Sequence, residues 1–219
     1  MSIEVNFSRD IDYNRQRDNT ILPFHTCGPT SMAMALHQAG YTNWVIPGED
    51  PADTITKHLT TDRAFERMYN VLGRRDTSWR PFNIHAVLTW GINDLLGATA
   101  SNFRTDWDLR NILFNIVKRG GAVLSGDFVL ADGRELGHMV SLAGFTTRQQ
   151  NILSVQDPME IKIEDIENYI IDDPYGEYPE SKFANHCGND IKYSPELFNE
   201  IFRNRNSNRK WAHVIIPRS

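Results

Sequence analysis

The 219-residue sequence contains only two cysteines, Cys27 and Cys187. Two cysteines are too few for a disulfide framework or a structural zinc site, and their number alone leaves a single bond between them open. The chain has no strong basic block and a formal net charge of −5 at pH 7, which argues against a nucleic-acid partner. We therefore predict no metal, no cofactor and no nucleic acid, and the oligomeric state stays open.

Long apolar runs are also missing, so we predict no insertion into a membrane. Residues 1–17 are polar and mixed in charge, without the basic start and apolar stretch of a secretory signal peptide. We therefore expect synthesis in the cytoplasm without Sec export. Repeats, low-complexity tracts and linkers are absent as well, and 40% of the residues are apolar, which predicts a single domain over residues 1–219.

The first half of the chain has apolar residues at helical spacing. One predicted helix begins at Cys27, and another begins at a capping-box pattern formed by Thr105 and Asp108. Each predicted helix ends at a glycine, a residue that suits a helix C-terminus: Gly40, Gly73, Gly97 and Gly120. Residues 50–61 and 185–195 are predicted to be surface loops.

The second half changes to short runs rich in β-branched residues, which is typical of strands. These runs cover residues 122–129, 137–145, 169–171 and 211–216, with a turn at residues 131–134. Helices followed by an antiparallel sheet predict an α+β fold, in which the N-terminal helices pack on one side of the sheet.

The most informative segment is residues 26–31, Thr-Cys-Gly-Pro-Thr-Ser, which puts Cys27 at the start of the first helix. The unpaired N–H groups and the dipole of a helix N-terminus favour the thiolate form of a cysteine. Because the thiolate is the nucleophile, the segment predicts the reactive end of a cysteine hydrolase.

A cysteine nucleophile needs a base, and His138 is the predicted base among seven histidines. It lies near the start of an apolar strand, just after a loop, where its ring would stand at a sheet edge close to the helix N-terminus. Position alone leaves an alternative open, in which His138 is a hydrogen-bonded structural residue of the strand.

The base in turn needs an orienting group, and an aspartate at the end of a neighbouring strand can supply it. Asp173 follows the strand at residues 169–171, and Pro174 makes the turn after it. Asp157 also precedes a proline, and residues 152–155 can be interpreted as another strand. We prefer Asp173, and Asp157 remains the alternative.

The oxyanion that develops during acyl transfer needs hydrogen-bond donors already in position. The backbone N–H of Cys27 is one such donor, and a side-chain amide upstream is the usual second. Gln16 and Asn19 are the candidates for the second donor, and Gln16 is the first choice.

Four segments together resemble the peptidase C39-like family of papain-fold cysteine hydrolases. They are residues 16–19 (Gln-Arg-Asp-Asn), 26–34 (Thr-Cys-Gly-Pro-Thr-Ser-Met-Ala-Met), 137–138 (Gly-His) and 173–176 (Asp-Pro-Tyr-Gly). The order of cysteine, histidine and aspartate along the chain also fits that papain-like fold. The resemblance implies Cys27 as nucleophile, His138 as base, Asp173 as orienting group and Gln16 as oxyanion donor.

The family includes peptidases that trim leader peptides beside a transporter and phage endolysins that cut peptide bonds in peptidoglycan. Because the chain shows neither a membrane span nor a nucleotide-binding P-loop, the resemblance favours an endolysin-like enzyme that acts on peptide or peptidoglycan and reaches the cell wall through a holin. The basic stretch at residues 203–210 is predicted to be a surface loop. The alternatives are a cysteine acyltransferase with the same residues and a non-catalytic papain-fold module that binds peptide or wall polymer.

Overall fold

A seven-stranded antiparallel sheet forms the centre of the computed structural model, which describes residues 2–8, 13–202 and 210–218. The strands are β1 (Ile3–Asn6), β2 (Ser101–Arg104), β3 (Gly121–Val129), β4 (Glu135–Thr147), β5 (Ile166–Asp172), β6 (Ile191–Tyr193) and β7 (Ala212–Ile215). Their order in the sheet is β2-β7-β3-β4-β5-β6, and β1 pairs with the second half of β4. The long strand β4 is therefore the axis of the sheet.

Six helices surround the sheet within the described residues: α1 (Cys27–Gln38), α2 (Pro51–His58), α3 (Asp62–Leu72), α4 (His85–Leu96), α5 (Leu109–Val117) and α6 (Pro195–Phe202). The first four pack with Val123 and Met139 in one apolar cluster. α5 and α6 pack with Leu124 and Val140 in another cluster. Because neighbouring residues of a strand point to opposite faces, the two clusters cover the two faces of the sheet. The α+β prediction is confirmed, but α5 and α6 add a layer on the face that was predicted to be free of helices.

Most of the predicted helix ends are found at the glycines that predicted them. Gly73 and Gly97 adopt the left-handed conformation that follows α3 and α4, and Gly40 does so after α1. The end of α5 was predicted wrongly, because Arg119 rather than Gly120 takes the left-handed position there, at φ 65°.

The start of α5 and the whole of α2 differ from the prediction because of aspartate caps. α5 begins at Leu109, where the Asp108 carboxylate accepts the N–H of Arg110 at 2.9 Å. α2 forms where a loop was predicted, because Asp50 caps it and accepts the N–H of Ala52 at 2.8 Å. A proline directly after the cap can begin a helix as well as break one, because the first turn needs no N–H from it.

The segment between β4 and β5 contains short 3₁₀ turns, and residues 152–155 do not form the strand that was considered for them. The buried side-chain amide of Gln149 binds the backbone of this segment at two places. Its Nε2 donates to Glu160 O at 2.9 Å, and its Oε1 accepts the N–H of Lys162 at 2.9 Å. Ile152 and Val155 are buried in the core cluster under α5. The apolar residues that looked like a strand thus serve as anchors for a folded loop.

Close packing of α1 on the sheet positions the helix start beside β4. A Cβ at Gly121 would lie 2.3 Å from the carbonyl oxygen of Ala35, so only glycine lets β3 approach α1 this closely. The Ser31 hydroxyl also donates to the carbonyl of Met139 at 3.0 Å. These contacts bring the first turn of α1 next to the strand that carries His138.

Two further predictions concern parts of the chain near its end. β6 lies within residues 185–195, which were predicted to be loop throughout. Residues 203–209, most of the predicted basic surface loop, lie outside the described residues. Among the helices of the described ranges, none is long and apolar enough to cross a membrane.

Candidate active site

Cys27 is the first residue of α1 and is half-buried. A buried amide fixes the chain just before it: Asn19 Nδ2 donates to the hydroxyl oxygens of Thr26 at 2.7 Å and Thr30 at 2.9 Å. The Thr30 hydroxyl donates in turn to the carbonyl of Thr26 at 2.7 Å. The threonines of the Thr-Cys-Gly-Pro-Thr-Ser segment therefore hold the helix start in place around the cysteine.

His138 and Asp173 form a fully buried pair between neighbouring strands. His138 lies on β4 and Asp173 directly follows β5, and His138 Nε2 lies 2.7 Å from Asp173 Oδ1. Their side chains are only 3% and 0% exposed, so solvent does not screen the interaction. The contact engages Nε2 and leaves Nδ1 as the ring nitrogen that can serve the thiol.

The turn after β5 is held from several directions, which fixes the Asp173 carboxylate. Asp173 Oδ1 also accepts the N–H of Tyr175 at 2.9 Å, and the Asp173 N–H donates to the carbonyl of Gly188 at 2.8 Å. The hydroxyl of Tyr13 donates to the Asp173 carbonyl. Sequence reasoning missed Tyr13, because it lies far from Asp173 along the chain and has no motif of its own.

Aromatic rings enclose the imidazole of His138. The ring centres of Phe128, Tyr175 and Phe183 lie 5.3 Å, 6.0 Å and 5.7 Å from the centre of the imidazole. Each of the three rings meets the imidazole edge to face. Because such a wall excludes water, charges inside it interact more strongly than they would at the surface.

The ionisation of Cys27 and His138 is coupled. Burial alone raises the pKa of the Cys27 thiol, but the hydrogen bond and charge of His138 and the backbone N–H groups of Met139 and Gly28 lower that pKa below its usual value. Burial likewise lowers the pKa of His138, but the Asp173 carboxylate and the Cys27 thiolate together raise the pKa to about 10. The two shifts favour a thiolate–imidazolium ion pair at neutral pH.

Gln16 lies next to the turn that carries Asp173. It begins a 3₁₀ turn, Gln16–Asp18, and its backbone N–H donates to the carbonyl of Pro174 at 3.0 Å. Within the described residues no hydrogen bond engages the Gln16 side-chain amide, and its oxygen is buried. By contrast, Asn19 uses both donor hydrogens on Thr26 and Thr30. Of these two candidates, Gln16 is therefore the one whose amide N–H makes no hydrogen bond to the described part of the chain.

Asp157, the alternative to Asp173, lies apart from the other predicted residues. It is exposed at the start of the 3₁₀ turn Pro158–Glu160, where its carboxylate accepts the N–H of Met159 at 2.8 Å. The structure thus brings together Cys27, His138 and Asp173, with Gln16 beside them, and leaves Asp157 on the surface.

Two other buried histidines, His85 and His213, contact each other on the opposite side of β3 from His138. His85 Nδ1 lies 2.8 Å from His213 Nε2, and the Thr89 hydroxyl lies 2.9 Å from His213 Nδ1. Burial lowers the pKa of His85 to about 3 and that of His213 well below its usual value, the latter helped by the charge of His85. Both rings are therefore neutral at pH 7.

Comparison with known proteins places these residues in a family. The model of the Peptidase_C39 like family matches residues 8–187, a span that contains Gln16, Cys27, His138 and Asp173. No curated protein matches the chain. The helices α1 to α4 on an antiparallel sheet agree with the papain-like fold that the sequence predicts.

Proposed function

We propose that this chain, which belongs to the Peptidase_C39 like family, hydrolyses peptide bonds with Cys27 as nucleophile. Membership of the family supports a cysteine peptidase that acts on a peptide. The single observation that carries the assignment of residues is the buried His138 imidazole, which contacts the Cys27 thiol and, at 2.7 Å, the Asp173 carboxylate. A nucleophile, a base and a group that orients the base are the parts that acyl transfer requires.

In the proposed reaction the Cys27 thiolate attacks the carbonyl carbon of the scissile bond. The oxyanion that forms accepts hydrogen bonds from the backbone N–H of Cys27 and from the Gln16 amide. The His138 imidazolium gives its Nδ1 proton to the leaving amine, which departs and leaves a thioester on Cys27. Neutral His138 then takes a proton from a water molecule, whose oxygen attacks the thioester and releases the acid and the free thiolate.

Asp173 has an orienting and electrostatic task in this mechanism. Its contact with Nε2 keeps the other ring nitrogen directed at the thiol. Its charge stabilises the imidazolium, as the raised pKa of His138 reflects. Because Oδ1 also accepts the N–H of Tyr175, the carboxylate cannot rotate without losing a second hydrogen bond.

The finer part of the proposal is the substrate, for which we infer the peptide stems or cross-links of peptidoglycan, in an enzyme of the endolysin type. The resemblance of the Gln-Arg-Asp-Asn, Thr-Cys-Gly-Pro-Thr-Ser and Asp-Pro-Tyr-Gly segments to the family, which includes lytic members, supports this choice. An enzyme of this type needs a separate route to the wall, which a holin would provide.

The test is to incubate the protein with purified peptidoglycan sacculi and to identify new termini by mass spectrometry. We expect new amino and carboxyl termini at one type of peptide bond. Cys27→Ala should release none, whereas the matched control Cys187→Ala should behave like the unchanged protein, because Cys187 is exposed and lies outside the cluster. Products that carry an added amine in place of water would instead indicate an acyltransferase, and binding without any cleavage would indicate a binding module.

A further inference from the structure

Arg17 lies at the edge of the candidate active site, and no carboxylate among residues 2–8, 13–202 and 210–218 forms an ion pair with it. It follows Gln16 in the same 3₁₀ turn, and its guanidinium stacks over the ring of Tyr175 at 4.4 Å from the ring centre. The ring of Phe24, which is largely exposed, lies 5.9 Å from the same guanidinium. Two aromatic rings thus hold a cation beside the turn that contains Asp173.

The described part of the chain leaves the Nε donor of Arg17 without a hydrogen bond. Its Nε is buried without a hydrogen-bond partner, and no carboxylate in the described part of the chain forms an ion pair with it. Some other arginines do form ion pairs: Arg63 pairs with Asp94 at 3.0 Å and Arg134 with Asp132 at 2.7 Å. Because the Nε of Arg17 is buried, a ligand that accepts from Arg17 would bind its terminal Nη groups.

The chemistry of the guanidinium limits what such a ligand can be. A cation–π contact with Tyr175 does not consume the N–H donors of the guanidinium, and the two terminal Nη groups match the two oxygens of a carboxylate. We propose that Arg17 binds a carboxylate of the peptide substrate, and so selects substrates with a negative charge near the scissile bond. This inference rests on the proposed function and adds to it the charge of the substrate.

The position of Arg17 fixes how far that carboxylate lies from the reacting atoms. The guanidinium is 4.4 Å from the centre of the Tyr175 ring, which is 6.0 Å from the centre of the His138 ring. An extended peptide advances about 3.3 Å per residue, so the carboxylate belongs within about three residues of the scissile bond. Both an acidic side chain and the free C-terminus of a short peptide meet this condition.

The experiment uses chloroacetyl peptides, in which the Cys27 thiolate displaces chloride and forms a thioether. One series carries Glu or Gln at each of the first three positions of an otherwise alanine peptide amide. A second series of alanine peptides ends in a carboxylate or in a carboxamide. The rate of Cys27 modification is followed by site-resolved mass spectrometry, and each anionic peptide is compared with its neutral partner.

We expect the unchanged protein to prefer the anionic member of at least one pair by about tenfold, the ratio expected for one charge-assisted hydrogen-bonded contact. Arg17→Gln should remove this preference, so that the anionic and neutral members of each pair react at equal rates, and Arg17→Lys should keep part of it. The exposed neighbour Arg15 provides the matched control Arg15→Gln, which should keep the full preference. The series that shows the effect identifies the source of the carboxylate, as a side chain or a terminus.

Two results overturn the inference, and they differ from each other. If Cys27 reacts readily but Arg17→Gln keeps the anionic preference, or Arg15→Gln loses it equally, Arg17 does not bind the carboxylate. If Cys27 of the unchanged protein reacts with neither member of any pair, the proposed function fails, and the substrate contact fails with it.

Discussion

Two pairs of buried groups, His138 with Asp173 and His85 with His213, show how the same side chain acquires opposite properties. His138 is 3% exposed and His213 is 0% exposed, so the two rings are equally removed from water. Yet the pKa of His138 is raised to about 10 while that of His213 is lowered well below its usual value. The partner decides the difference, because a carboxylate faces His138 and a second imidazole faces His213.

The comparison separates a chemical role from a packing role. Burial without a charge partner keeps an imidazole neutral, and the His85 ring then packs like an aromatic side chain, stacked on Phe103 at 5.0 Å and edge-on to Trp211 at 4.3 Å. Burial beside a carboxylate instead keeps the imidazole protonated. An imidazolium close to the thiol can give a proton to the leaving amine of a peptide bond.

The largest expected effect is the loss of hydrolysis on removal of His138. His138→Ala should lower kcat/KM by about a thousandfold or more, because it removes both the proton donor and the charge that ionises Cys27. The matched variant His85→Ala should unfold at a lower temperature, since it leaves a cavity, but keep kcat/KM within about threefold. Comparable losses of kcat/KM in the two variants would contradict the distinction between the two pairs.

Removal of the carboxylate should weaken the hold of His138 on its proton. Asp173→Asn should lower the pKa of His138 from about 10 and reduce kcat by roughly a hundredfold, because the imidazolium loses one of its two anionic partners. NMR titration of the histidine signals measures the first effect and steady-state kinetics the second. The control Asp157→Asn changes an exposed carboxylate and should alter neither. The reverse order of effects would favour Asp157 as the orienting group.

The two pairs should change the free energy of unfolding in different ranges of pH. A raised pKa means that folded His138 holds a proton that the unfolded chain releases, so its contribution is full below pH 6.5 and is lost as the pH rises towards about 10. A lowered pKa has the opposite effect for His85, because the unfolded chain takes up a proton that the folded protein does not. The free energy of unfolding therefore decreases as the pH falls from 6.5 to about 3. Urea unfolding at a series of pH values measures both. Asp173→Asn should flatten the alkaline range.

The smallest expected effect comes from a carboxylate placed beside the second pair. Thr89 is half-buried and its hydroxyl lies 2.9 Å from His213 Nδ1. Thr89→Asp should raise the pKa of His213 above that in the unchanged protein, because an opposite charge at this distance favours the imidazolium. NMR titration measures the shift, and Thr89→Asn is the neutral control. An unchanged pKa in Thr89→Asp would mean that burial rather than the partner controls these rings.

Sequence patterns predicted the parts of the molecule that depend on neighbouring residues. The glycines after α3 and α4 and the thiol at the start of α1 belong to this class, since local backbone geometry dictates them. The strands β1, β2 and β6 have only three or four residues each, too few to show alternation. Their pairing comes from the completed sheet, so the sequence alone does not reveal them.

The candidate site divides in the same way. Motifs drew attention to Cys27, His138 and Asp173; they include Arg17 without giving it a role, and the His85–His213 pair carries no local signal. His85 and His213 meet across 128 positions of sequence. The proposed role of Arg17 in substrate binding becomes visible only when the fold brings the Tyr175 ring against its guanidinium. Contacts of this kind depend on tertiary structure and cannot be predicted from spacing.

The most direct test of the account is the rate at which iodoacetamide alkylates Cys27 as a function of pH, with exposed Cys187 of the same molecules as the reference. An ordinary thiol becomes reactive near its pKa of about 8.5. The account predicts that Cys27 reacts at neutral pH, well ahead of Cys187, and that its rate changes again at about pH 10, where His138 loses its proton. A Cys27 rate that follows that of Cys187 at every pH would contradict the thiolate–imidazolium pair.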